Sequence, residues 1–152
     1  MGYADAAVTA FQELGLLLGN GVRRGLQRAR ALSGLTAALV AAGRVDEAVA
    51  SARRSIVALQ QANLLRSRCD IYAWVAAAAS NPKVASQLIG AGDDFARRRE
   101  TARDPISQHA QEQALALIRH TLIEGEIDYW REQGVSMSDS ELVHLIDHLG
   151  SG

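Results

Sequence analysis

Two histidines near the C-terminal end of the chain have the spacing of a metal site. His144 and His148 are four residues apart in a stretch with helical periodicity, so both rings lie on one face of a helix. A zinc site needs three or four ligands. Glu141 is close in sequence, whereas Asp147 would project from another face. We therefore interpret the pair as solvated histidines and predict no metal site.

Two further groups of reactive side chains are weak candidates for catalysis. Glu124, Glu126 and Asp128 could act as acids and bases or bind calcium, but the twelve-residue loop of an EF-hand is missing. Cys69 lies beside Asp70 and could be a thiol of lowered pKa. No second cysteine exists to resolve an oxidised form, and a small packing residue is the simpler interpretation. The sequence therefore predicts a protein that is not an enzyme and has no cofactor.

Four arginines form the densest run of charge in the chain. Arg97, Arg98, Arg99 and Arg103 could contact phosphate or an acidic partner. They could equally be favourable neighbours of the negative end of a helix dipole. No G-x-x-x-x-G-K-[ST] phosphate loop and no helix-turn-helix with a basic recognition face is present.

The composition favours an all-α fold. Hydrophobic residues make up 48% of the chain, aromatic residues 5%, and only two prolines occur. The net charge is −1 but is unevenly spread, with +6 on residues 1–103 and −7 on residues 104–152. Such asymmetry can mark a nucleic-acid surface, but it also fits ends that attract each other. No apolar run is long enough for a membrane span and no secretory signal is visible, so we expect a cytoplasmic protein that binds neither membrane nor nucleic acid directly.

Apolar residues at spacings of three and four predict about seven helices. Proline, glycine and capping residues mark their ends, including Asp104-Pro105 and a capping box at Ser138–Glu141. Trp74 and Trp130 fall on apolar stripes and are expected in the core. The predicted main helices cover residues 3–18, 22–42, 45–62, 64–79, 84–103, 105–124 and the stretch from the Ser138 cap to Leu149, with a short helix over 126–133.

A short sequence pattern, which we call a phrase, recurs at the start of three of these helices. Small residues Ala6 and Ala10, then Ala48 and Ala52, then Ala85 with Ile89, stand one helical turn apart. Successive phrases are separated by 42 and 37 residues, a period typical of stacked helical hairpins. Gly90 and Gly92, inside the helix over 84–103, are expected to serve close backbone contact.

These phrases resemble tetratricopeptide repeats. The stretch Asn81–Gly92, and Glu124–Gly134 followed by Met137–Val143, resembles the C-terminal helical-repeat domain of bacterial predicted-ATPase transcriptional regulators of the winged-helix or LuxR type. The resemblance implies antiparallel hairpins stacked in a right-handed array. It implies a single domain over 1–152, with repeat hairpins over 1–103 and capping helices over 104–149. Because Tyr3 would begin the second helix of a hairpin, the chain is expected to be a fragment of a longer regulator.

The function expected from this resemblance is a non-enzymatic one. The first helices of the hairpins would form a concave face that binds a protein, a peptide or a small effector, and the rest of the regulator would be a further partner. Helix-face geometry selects Arg24, Gln27, Arg28 and Arg66 as residues of that face. The alternative is a structural or oligomerisation arm that packs against an ATPase module, with a homodimer as its signature.

Overall fold

The structure, a computed structural model, is built of α-helices. It describes residues 3–17, 22–100 and 102–150, and the side chains of residues 14–17 and 22–24 lie outside that description. The helices are α1 (Tyr3–Leu17), α2 (Val22–Ala41), α3 (Val45–Gln61), α4 (Cys69–Ala78), α5 (Pro82–Arg99), α6 (Pro105–Ile118), α7 (Glu124–Val135) and α8 (Asp139–Asp147), with a 3₁₀ turn over Arg66–Arg68 before α4. The all-α prediction with about seven helices is confirmed.

Most helices pack against helices that are one or two places away in the chain. Each helix from α1 to α3 packs on the next, α4 packs on α5, and helices two apart in the chain also meet, as α2 with α4, α4 with α6 and α5 with α7. The side chains buried between them form one continuous cluster that extends from Val8 in α1 to Leu149 at the end of α8. This arrangement places α2, α4 and α6 side by side.

The last helix returns to the third helix instead of extending the series. Leu142, Ile146 and Leu149 are fully buried, and α8 packs on α3. The guanidinium of Arg53 in α3 donates to the backbone carbonyl of Leu149. The sequence did not predict this contact, because nothing local relates two segments that are 96 residues apart.

The predicted helix ends are correct where a local signal sets them. Gly43 closes α2 with a φ of 77°, Asp104 accepts a hydrogen bond from the Ser107 N–H at 2.8 Å, and the Ser138–Glu141 capping box forms. The predicted end of the first helix at Gly19-Asn20-Gly21 lies outside the described residues.

Three helices are clearly shorter than predicted. The helix predicted over 64–79 is α4, Cys69–Ala78, because the chain first forms the 3₁₀ turn over Arg66–Arg68. The helix predicted over 84–103 begins at Pro82 and stops at Arg99, because Glu100 turns the chain into the left-handed region at a φ of 52°. The helix predicted over 105–124 ends at Ile118, and tight turn hydrogen bonds follow at His120 and Thr121. The prediction over 105–124 was too long because Leu122 and Ile123 continue the apolar spacing past the turn.

The predicted seam of small residues is correct in two of its three places. Ala48, Ala52, Ala85 and Ile89 are completely buried. Ala6 and Ala10 are exposed, and α1 directs Val8 and Phe11 inward, on the stripe that the apolar spacing of this helix predicts. The first phrase was therefore wrong in register, because larger apolar side chains two and one residues along the helix bury more surface than alanine.

Gly90 confirms the expected close backbone contact, since a Cβ there would lie 1.9 Å from the carbonyl oxygen of Arg131. Gly92 differs: a Cβ there would meet the Asp70 carboxylate at 2.9 Å, a side chain instead of backbone. In the described part of the chain no helix is both long and apolar enough to cross a membrane.

Candidate functional site

An open groove lies where α2, α4 and α6 come together, with the ring of Phe11 from α1 at its edge. Its volume is about 500 Å³, within the range of small-ligand and peptide sites. We call it the α2–α4–α6 groove. It is lined by Phe11, Gln27, Arg30, Ala31, Ser33, Gly34, Arg68, Ile71 and Ile106.

The floor of the groove depends on small residues of α2. Gly34 has no side chain, and a Cβ there would come within 2.5 Å of the Phe11 ring. Ala31 is buried one turn earlier. Ile71 from α4 is buried, whereas Ile106 in the first turn of α6 is 56% exposed. An isoleucine left in water beside an apolar floor is a surface that a partner could cover.

Arg68 contributes a guanidinium group to the wall of the groove. Its Nη1 donates to Asp104 at 3.3 Å, but its Nε is buried and has no hydrogen-bond partner among the described residues. A buried donor without an acceptor costs free energy in the folded protein, and this Nε has too little accessible surface for a ligand to reach it. Arg30 is exposed and has no ion-pair partner within the described residues.

The four residues predicted for partner binding do not converge. Gln27 is exposed and lines the groove, and Arg28 is exposed on α2 but is not among its lining residues. The backbone of Arg24 belongs to α2, but its side chain lies outside the described part. Arg66 lies elsewhere: its Nε donates to Asp139 at 2.6 Å and its Nη2 to the Met137 carbonyl at 2.7 Å.

Arg66 lines a second cavity, of about 650 Å³, between the 3₁₀ turn, the end of α5 and the α7–α8 connection. Arg98 and Arg99 of the predicted arginine run also line it. We call this cavity the arginine pocket. It was not predicted, because no sequence pattern relates Arg66 to the run that begins 31 residues later.

Arg103, the last member of the predicted run, has a different role. Its Nε donates to Asp70 at 2.6 Å and its Nη2 to Asp93 at 2.6 Å. Asp93 also accepts from Arg131 at 2.8 Å. Burial raises the pKa of Asp70, although the hydrogen bond from Arg103 opposes that rise. This network joins α4, α5, α7 and the α5–α6 connection, and it leaves Arg103 committed to internal pairing.

The cysteine and the acidic cluster considered in the sequence analysis have ordinary surroundings. Burial raises the pKa of the Cys69 thiol to about 12, so it is an inert packing residue and not the activated thiol considered as an alternative. Glu124 pairs with Arg119 at 2.6 Å, and Glu126 accepts from the Ile123 N–H at 3.3 Å. Both carboxylates are exposed at a helix start, where they favour the helix dipole.

The histidine pair has the geometry expected of adjacent helical turns. The rings of His144 and His148 are 4.1 Å apart between centroids, and His148 Nδ1 lies 2.8 Å from the His144 carbonyl oxygen. Across the described residues no three side chains of His, Cys, Asp or Glu lie together as a metal site would require.

Trp74 is buried as predicted and meets His109 edge to face, whereas Trp130 is half-buried beneath the Lys83 ammonium.

The cavity-lining residues that the sequence analysis did not select are not marked by any motif or spacing in the sequence. Phe11, Arg68 and Ile106 become neighbours only when α1, the 3₁₀ turn before α4, and α6 come together. Comparison of the chain with family models, curated proteins and solved structures finds no match.

Proposed function

We propose that this chain is a non-enzymatic protein-interaction module and that its α2–α4–α6 groove binds a short segment of a partner protein. The observation that supports this proposal best is an open, largely apolar groove that leaves the side chain of Ile106 56% exposed. Most helices here pack mainly on helices one or two places away in the chain. This pattern is typical of repeat modules, which bind partners along one layer of helices.

The chemistry of the groove indicates the kind of segment. Apolar side chains would cover Ile71 and Ile106, and a carboxylate or carbonyl would accept from the guanidinium group of Arg68. Arg30 and Gln27 at the edge favour additional acceptor groups. A peptide with two or three apolar residues between acidic ones therefore complements the groove.

The test is a selection from a random twelve-residue peptide library against the whole chain. Enriched peptides should combine aliphatic with acidic residues, and the Ile106→Glu variant should bind them at least about tenfold more weakly, since it places a carboxylate against the apolar floor. Val57→Glu is the matched control: Val57 is 60% exposed, close to the 56% of Ile106, but it lies on α3 outside the groove.

Two results would contradict the proposal. One is a library that yields no enriched sequence, and the other is a set of peptides that bind Ile106→Glu as well as the unchanged protein. A sedimentation series over protein concentration distinguishes the alternative function. A tight dimer that Ile106→Glu separates into monomers would identify a structural or oligomerisation arm, whereas a monomer at all concentrations supports the interaction module.

We extend the proposal to the setting that the sequence resemblance implies. The module would be a tetratricopeptide-like domain of a cytoplasmic bacterial transcriptional regulator, which transmits binding of a protein, peptide or small effector to the rest of that regulator. The support is the resemblance of Asn81–Gly92 and Glu124–Gly134 to that family. A genomic reading frame that continues upstream of Met1 into a nucleotide-binding module would support this setting, and a stop codon directly before Met1 would contradict it.

A further inference from the structure

The arginine pocket brings together positive charge from two separate parts of the chain. Arg66 reaches it from the 3₁₀ turn before α4, and Arg98 and Arg99 reach it from the last turn of α5. The pocket lies outside the α2–α4–α6 groove and shares none of its lining residues. Its volume of about 650 Å³ is that of a small-molecule site.

Contacts within the protein orient the three guanidinium groups but leave some of their N–H donors without an acceptor among the described residues. Arg66 is fixed by Asp139 and by the Met137 carbonyl, and Arg98 donates its Nε to Asp94 at 2.9 Å. A guanidinium has five N–H groups, so both arginines keep further donors for a ligand. Such preorganisation lowers the entropy that a ligand must overcome on binding.

Arg99 is the group most available to a ligand. Its guanidinium carbon lies 5.2 Å from the centre of the Phe95 ring, and no carboxylate of the described residues pairs with it. Stacking on an aromatic ring orients the guanidinium plane while leaving its N–H edge free for bidentate hydrogen bonds.

The charges around the pocket do not cancel. Asp94 is 3% exposed and is bound by both Arg97 and Arg98; burial disfavours its ionised form, but these hydrogen bonds outweigh burial and lower its pKa. Asp139 pairs with Arg66. The lining residues carry three guanidinium groups, those of Arg66, Arg98 and Arg99, and two carboxylates, those of Asp94 and Asp139, so one positive charge is in excess.

The pocket also has an apolar wall. Leu65 is buried, and Phe95, Val135 and Met137 complete that side. Favourable interaction of arginine with a helix dipole would explain neither an apolar wall nor the approach of Arg66 from another element. An anion that also carries an aromatic or aliphatic group would use both sides.

We propose that the arginine pocket binds a small organic phosphate, with its phosphate between Arg66, Arg98 and Arg99 and its apolar group against Phe95 and Met137. Phosphate suits this arrangement because its oxygens can accept hydrogen bonds from more than one guanidinium fork at once. A ligand of this class would be an effector bound apart from the peptide groove, so this site and the proposed function can fail independently.

The probes are phenyl phosphate, inorganic phosphate and benzoate, each titrated into the isotope-labelled whole chain while amide NMR signals are followed. Phenyl phosphate should give saturable shifts that are confined to the residues around the pocket. Inorganic phosphate and benzoate should each bind at least about tenfold more weakly, because one lacks the apolar group and the other the phosphate.

Arg99→Met tests the assignment, since it keeps an apolar side chain over Phe95 and breaks no ion pair of the described residues. It should weaken phenyl phosphate about tenfold. Arg119→Met is the matched control: Arg119 follows the end of α6 and pairs with Glu124 at the start of α7, the opposite end of that helix from Val135. It should leave the affinity unchanged.

The proposal is overturned if phenyl phosphate gives no saturable shift, if the shifts arise away from the pocket, or if Arg99→Met binds as tightly as the unchanged chain. Equal affinity for inorganic phosphate would reduce the site to an adventitious anion site, and equal affinity for benzoate would exclude selection for phosphate.

Discussion

Gly90 of α5 and Gly134 of α7 form a reciprocal backbone contact. A Cβ on Gly90 would lie 1.9 Å from the carbonyl oxygen of Arg131, and a Cβ on Gly134 would lie 1.8 Å from the carbonyl oxygen of Gln87. Each glycine thus makes room for the backbone of the other helix. The contact also fixes Arg131 and the α7–α8 connection relative to α5, so it positions one wall of the arginine pocket.

Gly90→Ala should destabilise the fold by about 3 kcal/mol, because a methyl group cannot enter the contact without separating the helices. This loss exceeds the gain of about 1 kcal/mol that alanine brings to a helix. Urea unfolding followed by circular dichroism measures the difference. Gly125→Ala in α7 is the control: nothing lies within 4 Å of a Cβ there, so stability should be unchanged or slightly higher. A Gly90→Ala protein as stable as the control would contradict the contact.

Arg103→Met should cost roughly 3 kcal/mol at neutral pH, since it leaves the buried Asp70 carboxylate without its cation. Chemical denaturation of the single variant and of the double variant Asp70→Asn/Arg103→Met provides the measurement. The double variant should recover part of the loss, because no charge then remains unpaired at position 70. Arg119→Met removes an exposed pair and should cost at most about 1 kcal/mol. Equal effects at positions 103 and 119 would show that burial of the network adds nothing.

Acid should loosen α8 through Glu141. Its pKa is lowered from 4.5 because the carboxylate accepts the Ser138 N–H within the capping box. A group with a depressed folded-state pKa stabilises the folded state above its unfolded pKa, and that contribution disappears as pH falls through the folded value. Amide protection factors in α8, which correct for the slower intrinsic exchange at low pH, should therefore fall below pH 4.5. In Glu141→Gln, which keeps an acceptor that does not titrate, this step should be absent. Its persistence in that variant would assign the acid response to another carboxyl.

Tyr72→Phe should cost about 1 kcal/mol. The Tyr72 hydroxyl is completely buried and lies 2.6 Å from Ser55 Oγ, so the change deletes one hydrogen bond between α3 and α4 without altering ring packing. Thermal unfolding gives the comparison. Tyr129→Phe is the control, because Tyr129 is 54% exposed and its hydroxyl can be replaced by water. If both variants have the same melting temperature, the buried hydroxyl pair contributes nothing measurable to the stability of the fold.

The groove could be anticipated only in part. Gln27 was selected from the helical face of α2, and it does line the groove. Arg66 was selected by the same reasoning, yet it lies in the other cavity, because the 3₁₀ turn over Arg66–Arg68 rotates it away from the face that a continuous helix from Leu64 would have presented. A change of local helix type moves every later side chain around the axis.

Local signals in the sequence determined the all-α fold and several of its helix ends. The apolar spacing, the left-handed Gly43, the Asp104 cap and the Ser138–Glu141 box act within a few residues of one another, so the chain carries them without any tertiary context. Tertiary structure alone decided the return of α8 to α3, the pairing of Asp70 with Arg103, and the convergence of Arg66 with Arg98 and Arg99. These relationships join residues about 30 to 100 positions apart, and packing of whole helices sets their distances, so no short stretch of sequence can encode them.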